Sequence, residues 1–215
     1  GVLVAELRKR YPMGSEKHLI YSCTGRRVPP GKLPADVGVI VENVATALAV
    51  YEAVKLGKPL VDRVMTVSGE GVKEPANLRV PLGTSYRYLL DVCGGETDDA
   101  STYIAGGPMM GATLLSTDFH TRKTDSGLLV LTARQATIAA PTACIHCGRC
   151  AEVCPMHLLP MDIDFYTLAG DYDMARDRGG VLNCIECGTC AYVCPANRAL
   201  VQSIQMCKQK LREKR

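Results

Sequence analysis

Near the start of the chain, apolar residues recur with two different spacings. Val2–Arg10 has a helical spacing, whereas Val37–Val41 is an uninterrupted apolar run of strand length. Asn43 then stands where a helix cap is expected, before a helical pattern that reaches Lys55 and stops at Gly57. These patterns predict a small α/β segment over the first 57 residues.

The stretch that follows alternates like a sheet and contains one short helical pattern. Two strands, a helix and a third strand in this order are typical of a small β-grasp domain. The predicted elements are a strand at Arg63–Ser68, a turn at Gly69–Gly71, a strand at Leu78–Leu82, a helix from the cap Thr84 to Cys93, and a strand at Thr102–Ala105. Residues 116–140, with a strand at Leu128–Leu131, are expected to form a connecting segment.

Helical spacing dominates the last third of the chain. Met161, Phe165 and Leu168 predict one helix, and Asp171 is expected to cap a second short one. A closing amphipathic helix is predicted by a stripe at positions i, i+4, i+7 and i+11, formed by Leu200, Ile204, Cys207 and Leu211. The sequence therefore predicts an α-helical module here.

Composition narrows the class of protein. The 215 residues are 47% hydrophobic and 22% charged, which is typical of a folded globular chain. No uncharged apolar run is long enough to cross a bilayer, and no secretory leader is visible. The net charge is +3, but five of the last eight residues are Lys or Arg and one is Glu. With that charge confined to the tail, no basic face for nucleic acid is expected.

Eight of the eleven cysteines fall into two runs with the same spacing, C-x2-C-x2-C-x3-C-P. The fillers are also similar: one run reads CIHCGRCAEVCP and the other CIECGTCAYVCP. The first run contains Cys144, Cys147, Cys150 and Cys154, and the second contains Cys184, Cys187, Cys190 and Cys194. The remaining Cys23, Cys93 and Cys207 are isolated, and we interpret each as a small buried apolar residue.

Three chemistries compete for these two runs. A disulfide framework fits poorly, because cysteines two residues apart rarely bridge and no export signal supplies an oxidising compartment. A zinc site would use two C-x2-C pairs and leave the other cysteines without a role. A pair of [4Fe–4S] clusters uses all eight, since three thiolates of one tight loop reach three corners of a cubane.

In two-cluster proteins with this spacing, the fourth cysteine of each run ligates the other cluster. The sequence therefore predicts one cluster on Cys144, Cys147, Cys150 and Cys194, and a second on Cys184, Cys187, Cys190 and Cys154. His146 and Glu186 lie between the first two ligands of each run. We expect both side chains to face solvent, with tuning of a cluster as the alternative.

Several motifs, in one order, make the chain similar to a known family, the C subunit of the Rnf ion-translocating electron-transport complex. The resemblance covers essentially the whole chain. Compared with the family, the chain lacks the N-terminal part. It rests on Tyr11–Ile20 (YPMGSEKHLI), Thr24–Thr46 (TGRRVPPGKLPADVGVIVENVAT), Val67–Thr84 (VSGEGVKEPANLRVPLGT), Ala105–Gly111 (AGGPMMG) and the two cysteine runs.

The resemblance implies a multidomain fold of α/β plus α+β class. Residues 1–57 resemble the C-terminal part of a flavin- and NADH-binding domain shared with the NADH-oxidising subunit of respiratory complex I. Residues 58–115 resemble an SLBB-type β-grasp domain, and residues 141–215 resemble an α-helical ferredoxin domain with two [4Fe–4S] clusters. The family moves electrons between ferredoxin and NAD at the membrane, coupled to sodium or proton translocation.

The same resemblance implies cofactor-binding residues. Tyr11, Gly14 and Glu16 correspond to residues lining FMN or NAD(H), and Asn43 and Thr46 lie in the matching Asn-rich stretch, where Glu42 replaces its first Asn. The family's glycine-rich flavin loop lies upstream of Tyr11, outside this chain. An ordinary turn and helix cap are the alternative roles for these residues.

From the resemblance we expect a peripheral protein on the cytoplasmic side of a bacterial membrane, in contact with the other subunits of the complex, ferredoxin and NAD(H). No side chain is expected to be catalytic, because the cofactors carry the chemistry. Two alternatives remain open: a cobalamin reductase with the same domain order, and a non-redox binding module with structural clusters.

Overall fold

The computed structural model describes residues 1–214 and divides the chain into two compact units. One unit, which we call the cysteine unit, joins Gly1–Glu42 to the chain from Ala140 onwards, and the other, the sheet unit, is Asn43–Ala139. The helices are α1 (Glu16–Thr24), α2 (Val44–Leu56), α3 (Tyr86–Val92), α4 (Ala133–Ala136), α5 (Arg149–Glu152), α6 (Pro160–Leu168), α7 (Tyr172–Asp177), α8 (Thr189–Tyr192) and α9 (Leu200–Glu213), with 3-10 turns at Pro34–Val37 and Val181–Asn183. The strands are β1 (Asp62–Ser68), β2 (Ala76–Pro81), β3 (Ala100–Ala105), β4 (Ala112–Leu114) and β5 (Gly127–Thr132).

The sheet unit is built on a mixed sheet with strand order β2-β1-β5-β3-β4. The β1–β5 pair is parallel, whereas β1–β2, β3–β4 and β3–β5 are antiparallel. Alternate residues of the central strands point to one face and are buried there against α3. This core includes Met65, Val67, Tyr86, Leu89, Leu90, Leu128 and Val130.

Strand β5 comes from the segment that the sequence assigns to a connection, yet it lies between β1 and β3 in the middle of the sheet. Its residues run Gly-Leu-Leu-Val-Leu-Thr, and all six are buried or half-buried. A continuous apolar run of this kind is typical of a strand covered on both faces. The Gly69 turn packs against it: φ is +116° and a Cβ there would meet the Val130 carbonyl oxygen at 2.0 Å, so only glycine fits.

Two elements predicted near the start of the chain do not form. Val2–Arg10 is neither helix nor strand, and the large apolar residues Val2, Leu3 and Val4 are each more than 90% exposed. Val37–Val41 is not a strand either: the 3-10 turn ends at Val37, and Ile40 is 80% exposed. Short apolar stretches without a partner surface or a neighbouring strand lack the packing that stabilises either element.

Helix α2 forms where the sequence predicts it, because the Asn43 side chain accepts a hydrogen bond from the Ala45 amide at 2.9 Å. Helix α3 begins one residue later than expected. Ser85 is its cap and accepts from the Tyr88 amide, whereas the Thr84 hydroxyl donates to the Pro81 carbonyl.

In the cysteine unit, α6, α7 and α9 enclose a small apolar core. The predicted stripe of α9 is confirmed, since Leu200, Ile204, Cys207 and Leu211 are all buried. Helix α6 is also confirmed, but it buries a different face from the one expected: Phe165 and Leu168 are exposed. The buried residues of α6 are Pro160, Ile163, Asp164 and Thr167.

Within residues 1–214, the structure has no helix that combines the length and the apolar character needed to cross a membrane.

Candidate metal-cluster site

The two cysteine runs fold into loops with the same backbone. His146 and Glu186, at equivalent positions, both adopt a left-handed conformation with φ of 52° and 56°. Gly148 and Gly188 follow with φ of 75° and 84°, and each is succeeded by a one-turn helix, α5 or α8. Successive backbone amides in such turns form a concave surface that binds anions, including iron–sulfur clusters. The repeat in sequence is therefore a repeat in structure.

Each loop lines a separate cavity, and each cavity receives one cysteine from the other run. The first cavity, about 370 Å³ with its open solvent, is lined by Cys144, Cys147, Cys150 and Cys194. The second, about 340 Å³, is lined by Cys184, Cys187, Cys190 and Cys154. These are the two sets of four that the spacing predicts.

The donor set and the lining suit a metal–sulfide cluster. Each set of four thiols lines a cavity, and within residues 1–214 no three His, Cys, Asp or Glu side chains are grouped closely enough for a single metal ion. All eleven cysteines are free thiols. In the second set, the Glu186 amide donates to Cys184 Sγ and the Leu158 amide to Cys154 Sγ, both at 3.3 Å. Such donors stabilise the negative sulfurs of a bound cluster.

Burial affects the thiols most strongly in the second set. It raises the pKa of Cys190 to about 12, with the neighbouring Cys184 thiol adding to the effect, and it also raises the pKa of Cys184 and Cys150. Without metal these thiols are protonated at neutral pH. Because a metal ligand must be a thiolate, loading the site releases protons.

The two loops differ in their exposure. Cys144 and Cys147 of the first set are exposed, and so are the residues between them. Their counterparts in the second set are half-buried Cys184 and buried Cys187. Lys208 of α9 lies against this second loop and donates to the Cys184 carbonyl at 2.7 Å and to Glu186 Oε1 at 2.6 Å.

His146 is exposed, as expected, but Glu186 is not simply solvent-facing. Burial alone would raise the pKa of Glu186, yet hydrogen bonds from Lys208 and Gln205 outweigh burial and lower that pKa below its usual range. The sequence offers only a weak signal for Lys208: it lies four residues beyond Ile204 on α9, next to the buried stripe. Of the three isolated cysteines, Cys93 and Cys207 are buried, whereas Cys23 is exposed.

An ion pair between buried Asp164 and Arg198 lies beside the first cavity, and the sequence did not predict it. Arg198, which lines that cavity, donates to Asp164 Oδ2 at 2.6 Å, and the Ser203 hydroxyl donates to Asp164 Oδ1. Asp164 is only 4% exposed. A buried carboxylate needs such partners, but no spacing links these three residues in the sequence.

The candidate flavin residues lie in both units. Tyr11, Gly14 and Glu16 belong to the cysteine unit, whereas Asn43 and Thr46 belong to the sheet unit. Asn43 caps α2, and Thr46 Oγ1 accepts from Arg63 at 3.3 Å. Glu16 is the first residue of α1, and Gly14 lies in the turn before it.

Tyr11 makes a contact that sequence reasoning did not anticipate. Its hydroxyl donates to the carbonyl of Cys187 at 2.6 Å, so it lies against the loop of the second cavity. His18 Nε2 lies 3.3 Å from the carbonyl of Pro155, the residue after Cys154. The N-terminal segment thus contacts the second cavity's loops at two points.

Three family models match successive parts of the chain. Residues 1–52 match the Nuo51 FMN-binding domain, residues 64–113 match the SLBB domain, and residues 136–195 match the 4Fe-4S dicluster domain. The multidomain fold class inferred from the sequence is confirmed by these matches.

Curated relatives match nearly the whole chain. It is 45% identical over 208 residues to the C subunit of the Na(+)-translocating ferredoxin:NAD(+) oxidoreductase complex of Acetobacterium woodii, covering 97% of this chain and 47% of the relative. It is 48% identical to the C subunit of the ion-translocating oxidoreductase complex of Rhodobacter capsulatus, covering 95% of this chain and 39% of the relative. A third relative is the cobalamin reductase PduS of Citrobacter freundii, at 40% identity over 78% of this chain and 40% of that protein. The chain therefore spans less than half the length of these relatives.

Proposed function

The chain belongs to the family of C subunits of Rnf-type ion-translocating oxidoreductase complexes, and from this premise we propose that it is an electron-transfer subunit of such a complex. The whole complex would move electrons between ferredoxin and NAD and couple this transfer to ion translocation. The chain would be a peripheral component on the cytoplasmic side of the membrane, bound to other subunits of the complex.

The crossed lining of the two cavities carries this proposal. One cavity joins Cys194 to the three cysteines of the first loop, and the other joins Cys154 to those of the second. The two sets would hold one [4Fe–4S] cluster each. A bound cluster supplies one-electron chemistry, and the chain's residues set its position, exposure and hydrogen bonds.

The contacts of Tyr11 and His18 favour one of the two cluster sites as the neighbour of the segment that matches the FMN-binding domain. Both residues lie in the segment that matches the FMN-binding domain, and both contact the loops of the second cavity. The second cavity is therefore the one next to that segment. The exposed loop around Cys144 and Cys147 would face an external redox partner instead.

Anaerobic reconstitution of the 215-residue chain with iron and sulfide tests the ligand sets. We expect two [4Fe–4S] clusters, counted by iron and sulfide content and by electron paramagnetic resonance (EPR) after reduction with dithionite. Cys187→Ala should remove one of them, and Cys23→Ala, which changes an exposed cysteine outside both cavities, should remove neither. Two intact clusters in Cys187→Ala would contradict the assignment.

Whether this chain also holds a flavin and a nicotinamide site is tested by adding NADH to the reconstituted protein, with and without FMN. We propose that Tyr11, Gly14, Glu16, Asn43 and Thr46 contribute to that site. Bleaching of the cluster absorbance by NADH would support it. Bleaching by dithionite alone would mean that these residues do not complete an NADH site in this chain.

The match to PduS favours cobalamin reduction as a second candidate. Reduction of cob(II)alamin by the reconstituted chain, at a rate that falls in Cys187→Ala, would favour this function over transfer between ferredoxin and NAD. No reduction of cob(II)alamin, together with electron exchange with reduced ferredoxin, would exclude it.

A further inference from the structure

The two cysteine loops differ in one side chain that touches a ligand sulfur. Thr189 is the first residue of α8, and its Oγ1 lies 3.2 Å from Cys187 Sγ. Arg149 occupies the equivalent place at the start of α5 in the first loop, and it is exposed. Because the two loops share the same backbone, the change from Arg149 to Thr189 gives the second site a side-chain hydroxyl beside a ligand sulfur at a position where the first site has an exposed guanidinium group.

The direction of the Thr189 hydrogen bond follows from the chemistry of the ligand. A cysteine bound to metal is a thiolate and has no proton to give. In the loaded site the Thr189 hydroxyl must therefore be the donor and Cys187 Sγ the acceptor. Thr is β-branched, which limits χ1 to few rotamers, and the rotamer in the structure holds Oγ1 against Cys187 Sγ.

Hydrogen bonds to cluster sulfurs are among the factors that set a cluster's reduction potential. The reduced cluster carries one more negative charge than the oxidised cluster, so a donor to its thiolate stabilises the reduced state more. Two backbone amides already donate to sulfurs of the second set, but backbone amides cannot be altered by substitution. Thr189 supplies the side-chain donor.

We infer that Thr189 is a positioning residue that raises the reduction potential of the second cluster and so helps to make the two clusters unequal. This inference rests on the proposed ligand sets. Cluster reduction here is the uptake of one electron from an external reductant, with no bond made or broken at Thr189.

The test is EPR-monitored potentiometry on the reconstituted 215-residue chain. Thr189→Val keeps the shape of the side chain and removes its hydroxyl, so one of the two midpoint potentials should shift to a lower value while the other stays unchanged. Thr189→Ser keeps the hydroxyl and should restore the wild-type potential. Unchanged potentials in Thr189→Val, with both clusters present, would overturn the inference.

A reciprocal variant keeps the inference testable if Thr189→Val fails to take up its cluster. Arg149→Thr introduces a hydroxyl at the equivalent place in the first loop, and Arg149→Val removes the same guanidinium charge without adding a hydroxyl. The other midpoint potential, the one that Thr189→Val leaves alone, should therefore be higher in Arg149→Thr than in Arg149→Val. Equal potentials in these two variants, or a change confined to the midpoint that Thr189→Val shifts, would contradict the inference. Iron and sulfide content tests the ligand sets separately. If the wild-type chain takes up no cluster, the proposed ligand sets are wrong.

Discussion

In the sheet unit, Met65, Val67, Leu128 and Val130 pack directly on one another, whereas in the cysteine unit the buried side chains stand around two cavities. The sheet core is one cluster of mainly apolar side chains from the central strands and α3. The cysteine unit has two smaller cores, and one of them contains Cys150 and Cys190, which belong to the candidate ligand sets. The comparison indicates that apolar burial stabilises the sheet unit, while the cysteine unit also depends on what its thiols bind.

The largest effect should follow from removing a buried thiol of the second set. Cys190→Ala should destabilise the cysteine unit by about 5 kcal/mol or more, since losing a metal group is among the few changes with so large an effect. Amide hydrogen exchange should report this loss in α6 and α9 and leave β1 and β5 protected. Equal loss of protection in both units would contradict this difference between them.

A substitution in the sheet core should destabilise the sheet unit and leave the cysteine unit protected. Leu128 is 1% exposed, and Leu128→Ala should cost about 2–5 kcal/mol through lost burial and a residual cavity. Denaturant unfolding measures this loss, and amide exchange in β1 and β3 locates it in the sheet unit. Unchanged iron content would show that the cysteine unit is intact. Val64→Ala, at a position 64% exposed on the same sheet, is the matched control and should cost under about 1 kcal/mol.

Among residues 1–214, each unit buries one carboxylate, and substituting either should have a smaller effect. Asp164→Asn in the cysteine unit keeps the shape but weakens the bonds from Arg198 and Ser203, so we expect a loss of about 1–3 kcal/mol. Thermal unfolding of the loaded protein measures it. Asp162→Asn, two residues earlier on α6 and less buried, is the control, and equal losses in both would argue against the ion pair.

The smallest effect concerns Asp125 of the sheet unit and should depend on pH. Burial works to raise the pKa of Asp125, but hydrogen bonds from Arg122 and Tyr86 outweigh burial and lower that pKa below its usual range. The carboxylate therefore contributes stability that is fully present above about pH 4 and is lost as the pH falls through the folded-state pKa. Tyr86→Phe, which removes a 2.8 Å bond, should cost about 1 kcal/mol at pH 7.

Unfolding of wild type and Asp125→Asn across the acidic range measures this pH dependence. The stability difference between them should shrink as the pH falls below about 4, because wild-type Asp125 becomes protonated there. A difference that stays constant with pH would show that the charge of Asp125 does not stabilise the sheet unit.

Most predictions that depend on near neighbours in sequence succeed, although the cap of α3 is Ser85 and not the predicted Thr84. The cap Asn43, the cap Asp171 and the stripe of α9 are each confirmed, since each acts within a few residues. Where the role depends on a distant partner, prediction is harder. Val2–Arg10 has a helical spacing, but Val2, Leu3 and Val4 are each more than 90% exposed, and the helix does not form.

The spacing of the eight cysteines indicated two similar loops, because each loop is a local structure with the same glycine and the same left-handed turn. The crossed sets of four followed from the way two-cluster proteins with this spacing bind their clusters. Tertiary structure alone decided that the two sets are unequal. Lys208 and Tyr11 reach the second loop from 24 and 176 residues away in sequence, and no equivalent spacing predicts them. Local sequence specifies the backbone that surrounds a cluster, whereas burial and hydrogen bonding around it come from chain segments that only folding brings together.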